Sequence, residues 1–152
     1  SPDYGERRKW HCVSADGGAT WSEPQPWTYA DGSICYSPSS ISRLIQHSNG
    51  DLYWIGNVSE KRPDDALDGN APRHPLVIGR VDLDSLLLER ESLCIVDTRR
   101  EGDTANLQLS NFSAYEDRLS GEIVIRVTRW DGQMFGEPET TDASVHLYRM
   151  QP

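Results

Sequence analysis

Hydrophobic and polar positions alternate in short runs along this chain, and turn residues separate the runs. Ser39–Gln46, Asp51–Asn57, His74–Val81 and Ser92–Asp97 each read as a strand, with His47-Ser48-Asn49-Gly50 as the tight turn between the first two. Leu107–Tyr115, Glu122–Arg129 and Ser144–Met150 repeat the pattern, with a turn through Glu116–Gly121. Arg8–Val13 and Pro24–Trp27 supply two further strands near the start. Two polar stretches, Val58–Arg73 and Trp130–Ala143, read as long loops. Asp84–Leu93 is the candidate for a helix, and a strand reading competes with it. The expected fold is all-β and antiparallel.

The strands recur as a unit. Gly50-Asp51-Leu52-Tyr53-Trp54-Ile55 matches Gly121-Glu122-Ile123-Val124-Ile125-Arg126, 71 positions further on. Between the two early strands lies Ser14-Ala15-Asp16-Gly17-Gly18-Ala19-Thr20-Trp21, which reads S-x-D-x-G-x-T-W. Asp16 can fold its carboxylate back onto backbone N–H groups two residues on, and Gly17 and Gly18 allow the positive φ that a tight turn needs. Trp21 is expected to pin this hairpin to its neighbour. A degenerate copy, Arg80-Val81-Asp82-Leu83-Asp84, puts Asp82 66 positions after Asp16 and Leu87 in the place of Trp21. The repeat is then roughly 65–70 residues of four strands each, A to D, longer than common repeats of this kind. Residues 1–27 hold the outer strands of a preceding unit, 28–97 a complete unit, and 98–152 a unit lacking its outermost strand.

Composition narrows the function classes. The net charge of −9 argues against nucleic acid, whose phosphates need clustered Lys and Arg. No apolar run approaches the roughly 20 residues of a membrane span, so no membrane partner is expected. No apolar stretch at the start reads as a signal peptide, and opening on Ser1 suggests a processed or excised chain. The cysteines, Cys12, Cys35 and Cys94, are odd in number and fit no zinc spacing. Cys12 and Cys94 sit in apolar runs and are expected to be buried free thiols. Asn57-Val58-Ser59 and Asn111-Phe112-Ser113 match glycosylation sequons, a pattern common by chance. His11, His47 and His146 lack metal-ligand spacing, and Asp64, Asp65 and Asp68 lack that of a calcium loop. No metal or cofactor is implied.

The S-x-D-x-G-x-T-W run, Ser14, Asp16, Gly18, Thr20 and Trp21 included, resembles the Asp box, or BNR repeat, of sialidase-like β-propellers. The resemblance implies a partial six-bladed β-propeller of about two four-stranded antiparallel blades, the C-terminal portion of its ring. The missing blades would come from a parent chain or from other subunits. It also implies export, to an extracellular or periplasmic compartment. In that family the Asp box lies away from the active site, so its role here is structural. The functional face is built there from D–A connections and B–C loops. On this chain those segments hold Tyr29, Asp31 and Tyr36, then Asn57, Arg73 and His74, then Arg99, Arg100, Glu101 and Asp103, then Trp130, Asp131 and Glu137.

The function the resemblance implies is a glycoside hydrolase acting on glycans through an arginine-lined face. The alternative is a non-catalytic carbohydrate-binding or protein-interaction propeller. Arg73-His74-Pro75 resembles the family's R-x-P motif, whose arginine grips a substrate carboxylate. Arg73 can equally pair with Asp64, Asp65 or Asp68. Tyr36-Ser37 resembles the tyrosine-nucleophile motif, with Asp31 as acid/base. Tyr36 can equally be an amphipathic ring at a blade junction. Tyr29, Asn57, His74, Arg99 and Arg100 are the further substrate-binding candidates, and of the two adjacent arginines at most one faces the ligand. Glu116 and Asp117 read as turn residues.

Overall fold

The computed structural model describes residues 7–62, 69–131 and 142–152. Its described residues form an all-β chain of three antiparallel sheets. Strands β1 (Trp10–His11) and β2 (Gln25–Pro26) make a two-stranded sheet. Strands β3 (Arg43–Gln46), β4 (Leu52–Asn57), β5 (Leu76–Val81) and β6 (Cys94–Asp97) make a four-stranded sheet in sequence order. Strands β7 (Ser113–Asp117), β8 (Glu122–Asp131) and β9 (Asp142–Met150) make a three-stranded sheet. Each expected strand overlaps one of these, and the order A to D holds in the four-stranded sheet, but β1 and β3 are shorter than expected and β7 begins at Ser113 and includes Glu116 and Asp117, expected in the turn.

The four-stranded sheet is the middle layer, because β4 and β5 are apolar on both faces. Tyr53, Ile55, Leu76 and Ile78 meet Leu109, Ile123, Ile125 and Val127 in one core cluster shared with the three-stranded sheet. Trp54, Val77 and Val81 project the other way and meet Trp27, Tyr29, Cys35 and Leu88. The Trp27 and Trp54 rings lie 5.2 Å apart, and Trp27 Nε1 donates to the Leu86 carbonyl at 2.9 Å. Each fully buried aliphatic or aromatic chain in these clusters contributes about 1.5–3 kcal/mol of transfer free energy.

The repeat is visible in the turns. Gly50 and Gly121 occupy the same place, just before β4 and β8, at φ +98° and +70°. A side chain there would strain the backbone, which explains the glycine at both anchors. The turns also join the layers: Ser48 N–H donates to Glu116 Oε2 at 3.1 Å, and His47 Nε2 lies 3.0 Å from the Gly121 carbonyl. Glu116, at the end of β7, is held below the usual carboxylate range by its hydrogen bond with Ser48.

Three expectations are corrected. Residues 84–93 form neither a helix nor a long strand. Leu86 turns at φ +59°, Leu88 makes isolated bridges, and Arg90–Ser92 is a single 3-10 turn. Cys12 and Cys94 are exposed and Cys35 is buried, because the apolar runs holding the first two sit where their layers end. Trp21 is 63% exposed and lies over Gly18 of its own turn, so it does not pin the hairpin to a neighbour.

Candidate functional site

The sheets have two distinct ends. The β3–β4 and β7–β8 turns and the β5–β6 connection lie at one, the turn end. The ends of β4, β6 and β8 and the starts of β5, β7 and β9 lie at the other, the loop end. The Ser14–Trp21 run joins β1 to β2, and Asp82 follows β5, so both aspartates sit in equivalent connections.

The Ser14–Trp21 side chains brace their turn, with Asp16 reaching Thr20, four residues on, and Ser14 taking the Gly18 N–H expected for Asp16. Asp16 Oδ1 accepts from Thr20 N–H at 2.9 Å and Oδ2 from Thr20 Oγ1 at 2.6 Å, while Ser14 Oγ donates to Asp16 Oδ1 at 2.8 Å. Ser14 Oγ in turn accepts from Gly18 N–H at 2.7 Å. The bonds from Thr20 draw the Asp16 carboxyl down to about 2. Asp82 repeats the device on a shorter turn, accepting from Ser85 N–H at 2.7 Å and Ser85 Oγ at 2.6 Å.

At the loop end Arg73 ties elements together. Its Nε donates to the Asn70 carbonyl at 2.8 Å, Nη1 to Gln108 Oε1 and Ser110 Oγ at 3.3 Å each, and Nη2 to Asn70 Oδ1 at 3.2 Å and the Ser39 carbonyl at 3.4 Å. Five neutral acceptors therefore engage its five N–H groups, and no described carboxylate pairs with it. Asp64, Asp65 and Asp68, the alternative partners, lie outside the described residues, as does Glu137. Lys9 Nζ donates to the Pro38 carbonyl at 3.1 Å and to the Ser40 carbonyl. Burial, with the Arg73 charge beside it, lowers Lys9 to about 8.

Asn57 is fully buried. Its Nδ2 reaches the carbonyls of Arg73, Pro75 and Leu109 at 3.0, 3.1 and 3.2 Å, while Oδ1 has no partner. It holds the β4–β5 loop against the next sheet, and neither glycan contact nor glycosylation fits a side chain so enclosed. Asn111 of the second sequon is exposed, at φ +57°.

Asp31 and Tyr36 do not form one pair. Tyr29 and Leu88 bridge, and Leu88 bridges Val81 at the turn end of β5, whereas Tyr36 bridges Ser59, beyond the Leu76 end. The Asp31 carboxylate is spent on Ser33, accepting from its N–H at 2.8 Å and its Oγ at 2.5 Å, and these bonds lower its pKa. Tyr29 is buried under Arg90, 5.3 Å above its ring, and burial raises its hydroxyl pKa.

Sequence reasoning missed the strongest charged cluster. Arg129 on β8 is 6% exposed. Its Nη1 donates to Asp97 Oδ2 at 2.5 Å and its Nη2 to Asp103 Oδ2. Tyr148 Oη donates to the same Asp97 oxygen at 2.5 Å, and Arg100 Nη2 lies 3.4 Å from both Asp97 Oδ1 and Tyr148 Oη. Burial opposes ionisation of Asp97, but the bonds from Tyr148 and Arg129 outweigh it and keep the carboxyl below its ordinary range. Burial and the Asp97 charge raise Tyr148, so this tyrosine is held as a proton donor and not readied as a nucleophile. Arg99 donates to the Asp103 carbonyl at 2.8 Å. The one available signal was an arginine inside an apolar strand, which needs a buried carboxylate.

A shallow cavity of about 310 Å³ opens at the loop end, lined in part by Ser59, Lys61, Pro72 and His74. Burial, then the nearby Arg99 charge, lowers the His74 pKa, so the ring is neutral near pH 7. Ser59 Oγ is buried without a partner. No group of three metal-ligating side chains occurs among the described residues. No helix among them is long and apolar enough to cross a membrane. No protein-family model, curated protein or solved structure matches the chain.

Proposed function

We propose that this chain is a section of a sialidase-like β-propeller and that it contacts glycans through the loop end of its sheets. The observation that carries the reading is the Asp-box turn: Ser14, Asp16, Gly18 and Thr20 are bonded to one another in the connection that Asp82 occupies one sheet later. Layers with successive strands in order, packed face to face, are what consecutive blades of a propeller require. The missing blades come from a parent chain or other subunits.

The proposed contact is the cavity at Lys61 and His74, where a neutral imidazole and the Lys61 and Arg62 cations stand beside Glu60 and a proline wall. Such a surface offers donors and acceptors for sugar hydroxyls and an ammonium for a sugar carboxylate. Glycan binding is favoured over turnover by this section alone, because Asp31 and Tyr36 are at opposite ends of β5 and Tyr148 is committed to Asp97. A glycoside hydrolase would need acid and nucleophile from blades outside this chain.

Calorimetric titration with sialyllactose and with lactose tests the proposal. Weak binding of sialyllactose, lost in His74→Ala and reduced in Lys61→Ala, supports it. No heat with either sugar, or equal heats in wild type and both variants, refutes it. Release of sialic acid by the isolated chain would refute the assignment of binding without turnover.

A further inference from the structure

The β3–β4 turn, His47-Ser48-Asn49-Gly50, holds the one Asn–Gly pair of the chain, and both residues are exposed. An asparagine before glycine is chemically labile, because glycine has no Cβ to shield its backbone nitrogen from the neighbouring carboxamide. That nitrogen can bond to the asparagine Cγ. The Cγ–Nδ2 bond then breaks, and the proton lost by the glycine nitrogen leaves with Nδ2 as ammonia. Water opens the resulting cyclic imide at Cγ to give aspartate, or at the backbone carbonyl to give isoaspartate, whose main chain runs through the former side chain.

In this turn every reacting group is engaged. Gly50 N–H donates to the His47 carbonyl at 3.0 Å. Asn49 Nδ2 donates to Asp51 Oδ2 at 3.2 Å and to Tyr53 Oη at 3.3 Å, and Asn49 Oδ1 accepts from Asp51 N–H at 2.9 Å. The neighbouring sheet holds the turn in this form. Asn49 N–H donates to Nδ1 of the buried His47 at 3.1 Å, which fixes the imidazole proton on Nε2, and Nε2–H donates to the Gly121 carbonyl at 3.0 Å. Ser48 N–H donates across to Glu116 Oε2. We propose that Asn49–Gly50 is a self-modifying site, kept closed by the docked β7–β8 turn and converted to aspartate and isoaspartate when the β3–β4 turn opens. The conversion runs one way. The new carboxylate replaces the Nδ2 donor and faces the Asp51 carboxylate, and like charges this close repel. The methylene that isoaspartate adds to the main chain puts the Gly50–His47 and His47–Asp51 turn bonds out of register. The inference does not depend on the glycan reading.

Peptide mapping by mass spectrometry, on the whole chain kept in mildly alkaline buffer at body temperature, tests it. Amide-to-acid conversion should be found at Asn49 before Asn57, Asn70, Asn106 or Asn111. Urea-unfolded chain should convert faster than native chain. Glu116→Ala, which removes the Ser48 acceptor, should speed conversion in the native state about three- to tenfold, the worth of one hydrogen bond. Glu116→Gln keeps an acceptor oxygen and should convert near the wild-type rate. Circular dichroism confirms that each variant keeps its sheets; if Glu116→Ala does not, the comparison of native with unfolded wild type decides. Equal rates in native and unfolded wild type overturn the proposal. So does a folded Glu116→Ala variant that converts no faster than wild type, or conversion that begins at another asparagine.

Discussion

Replacing Asp97 with alanine removes the hub of the buried charge cluster. Asp97 accepts from Tyr148 Oη and Arg129 Nη1 at 2.5 Å each, from Thr98 N–H at 2.8 Å and from Arg100 Nη2 at 3.4 Å. The Arg129 side chain is 7% exposed, so its charge cannot return to water when the partner goes. Breaking a buried ion pair costs about 3–5 kcal/mol. Asp103 still holds Nη2 of Arg129, which puts the expected loss at the lower limit, about 3 kcal/mol. For a chain of this size each kcal/mol moves the melting temperature by about 2–4 °C, so Tm should fall about 6–12 °C. The assay is thermal unfolding followed by circular dichroism, with Asp97→Asn as the isosteric control. The sign with pH follows from the depressed carboxyl pKa of Asp97. Its contribution is complete above the unfolded value of about 3.9 and is lost as pH falls through the lower folded value. The gap between wild type and Asp97→Ala is therefore constant near neutrality and narrows in acid. A fall in Tm under about 2 °C at pH 7 would refute the claim that this cluster is a buried anchor between layers.

Further predictions follow from the same geometry. Asn57→Leu takes the Nδ2 donor from the carbonyls of Arg73, Pro75 and Leu109, of which Arg73 keeps the Leu109 N–H, and should cost about 1–3 kcal/mol by urea denaturation, with the β4–β5 loop amides exchanging faster. Lys9 should titrate near 8 in an NMR experiment on reductively methylated protein, and Arg73→Gln should raise that midpoint. Since the unfolded lysine holds its proton to higher pH, the Lys9 contribution makes stability rise as pH climbs through 8. In native protein Cys12 and Cys94 should react promptly with a thiol reagent, and Cys35 only on unfolding.

Much of the fold was legible because period-two alternation and glycine turns are local signals. The turn at Ser14–Trp21 and its use of the Asp16 and Ser14 side chains could be read because they act within eight residues of one another, but Asp16 bonds Thr20 and not the N–H two residues on. The chemistry was less legible because it is non-local. Arg129 meets Asp97 across 32 positions, and Tyr148 meets it across 51. Asp31 and Tyr36 are five positions apart in the sequence, yet Asp31 is spent on Ser33 in the turn that the Thr28–Ile34 bridge closes, while Tyr36 lies beyond that bridge against Ser59. The exposed Cys12, Cys94 and Trp21 show a second limit: an apolar residue in an alternating run is buried only if another layer covers its face.

The central claim, glycan contact at the loop end, is most directly tested by following backbone amide shifts of labelled protein during titration with sialyllactose. The account predicts shifts centred on Ser59, Lys61 and His74, with Ser14–Trp21 and the β7–β8 turn unmoved. Shifts centred on the Asp-box turn, or none at any residue up to saturating sugar, would contradict it.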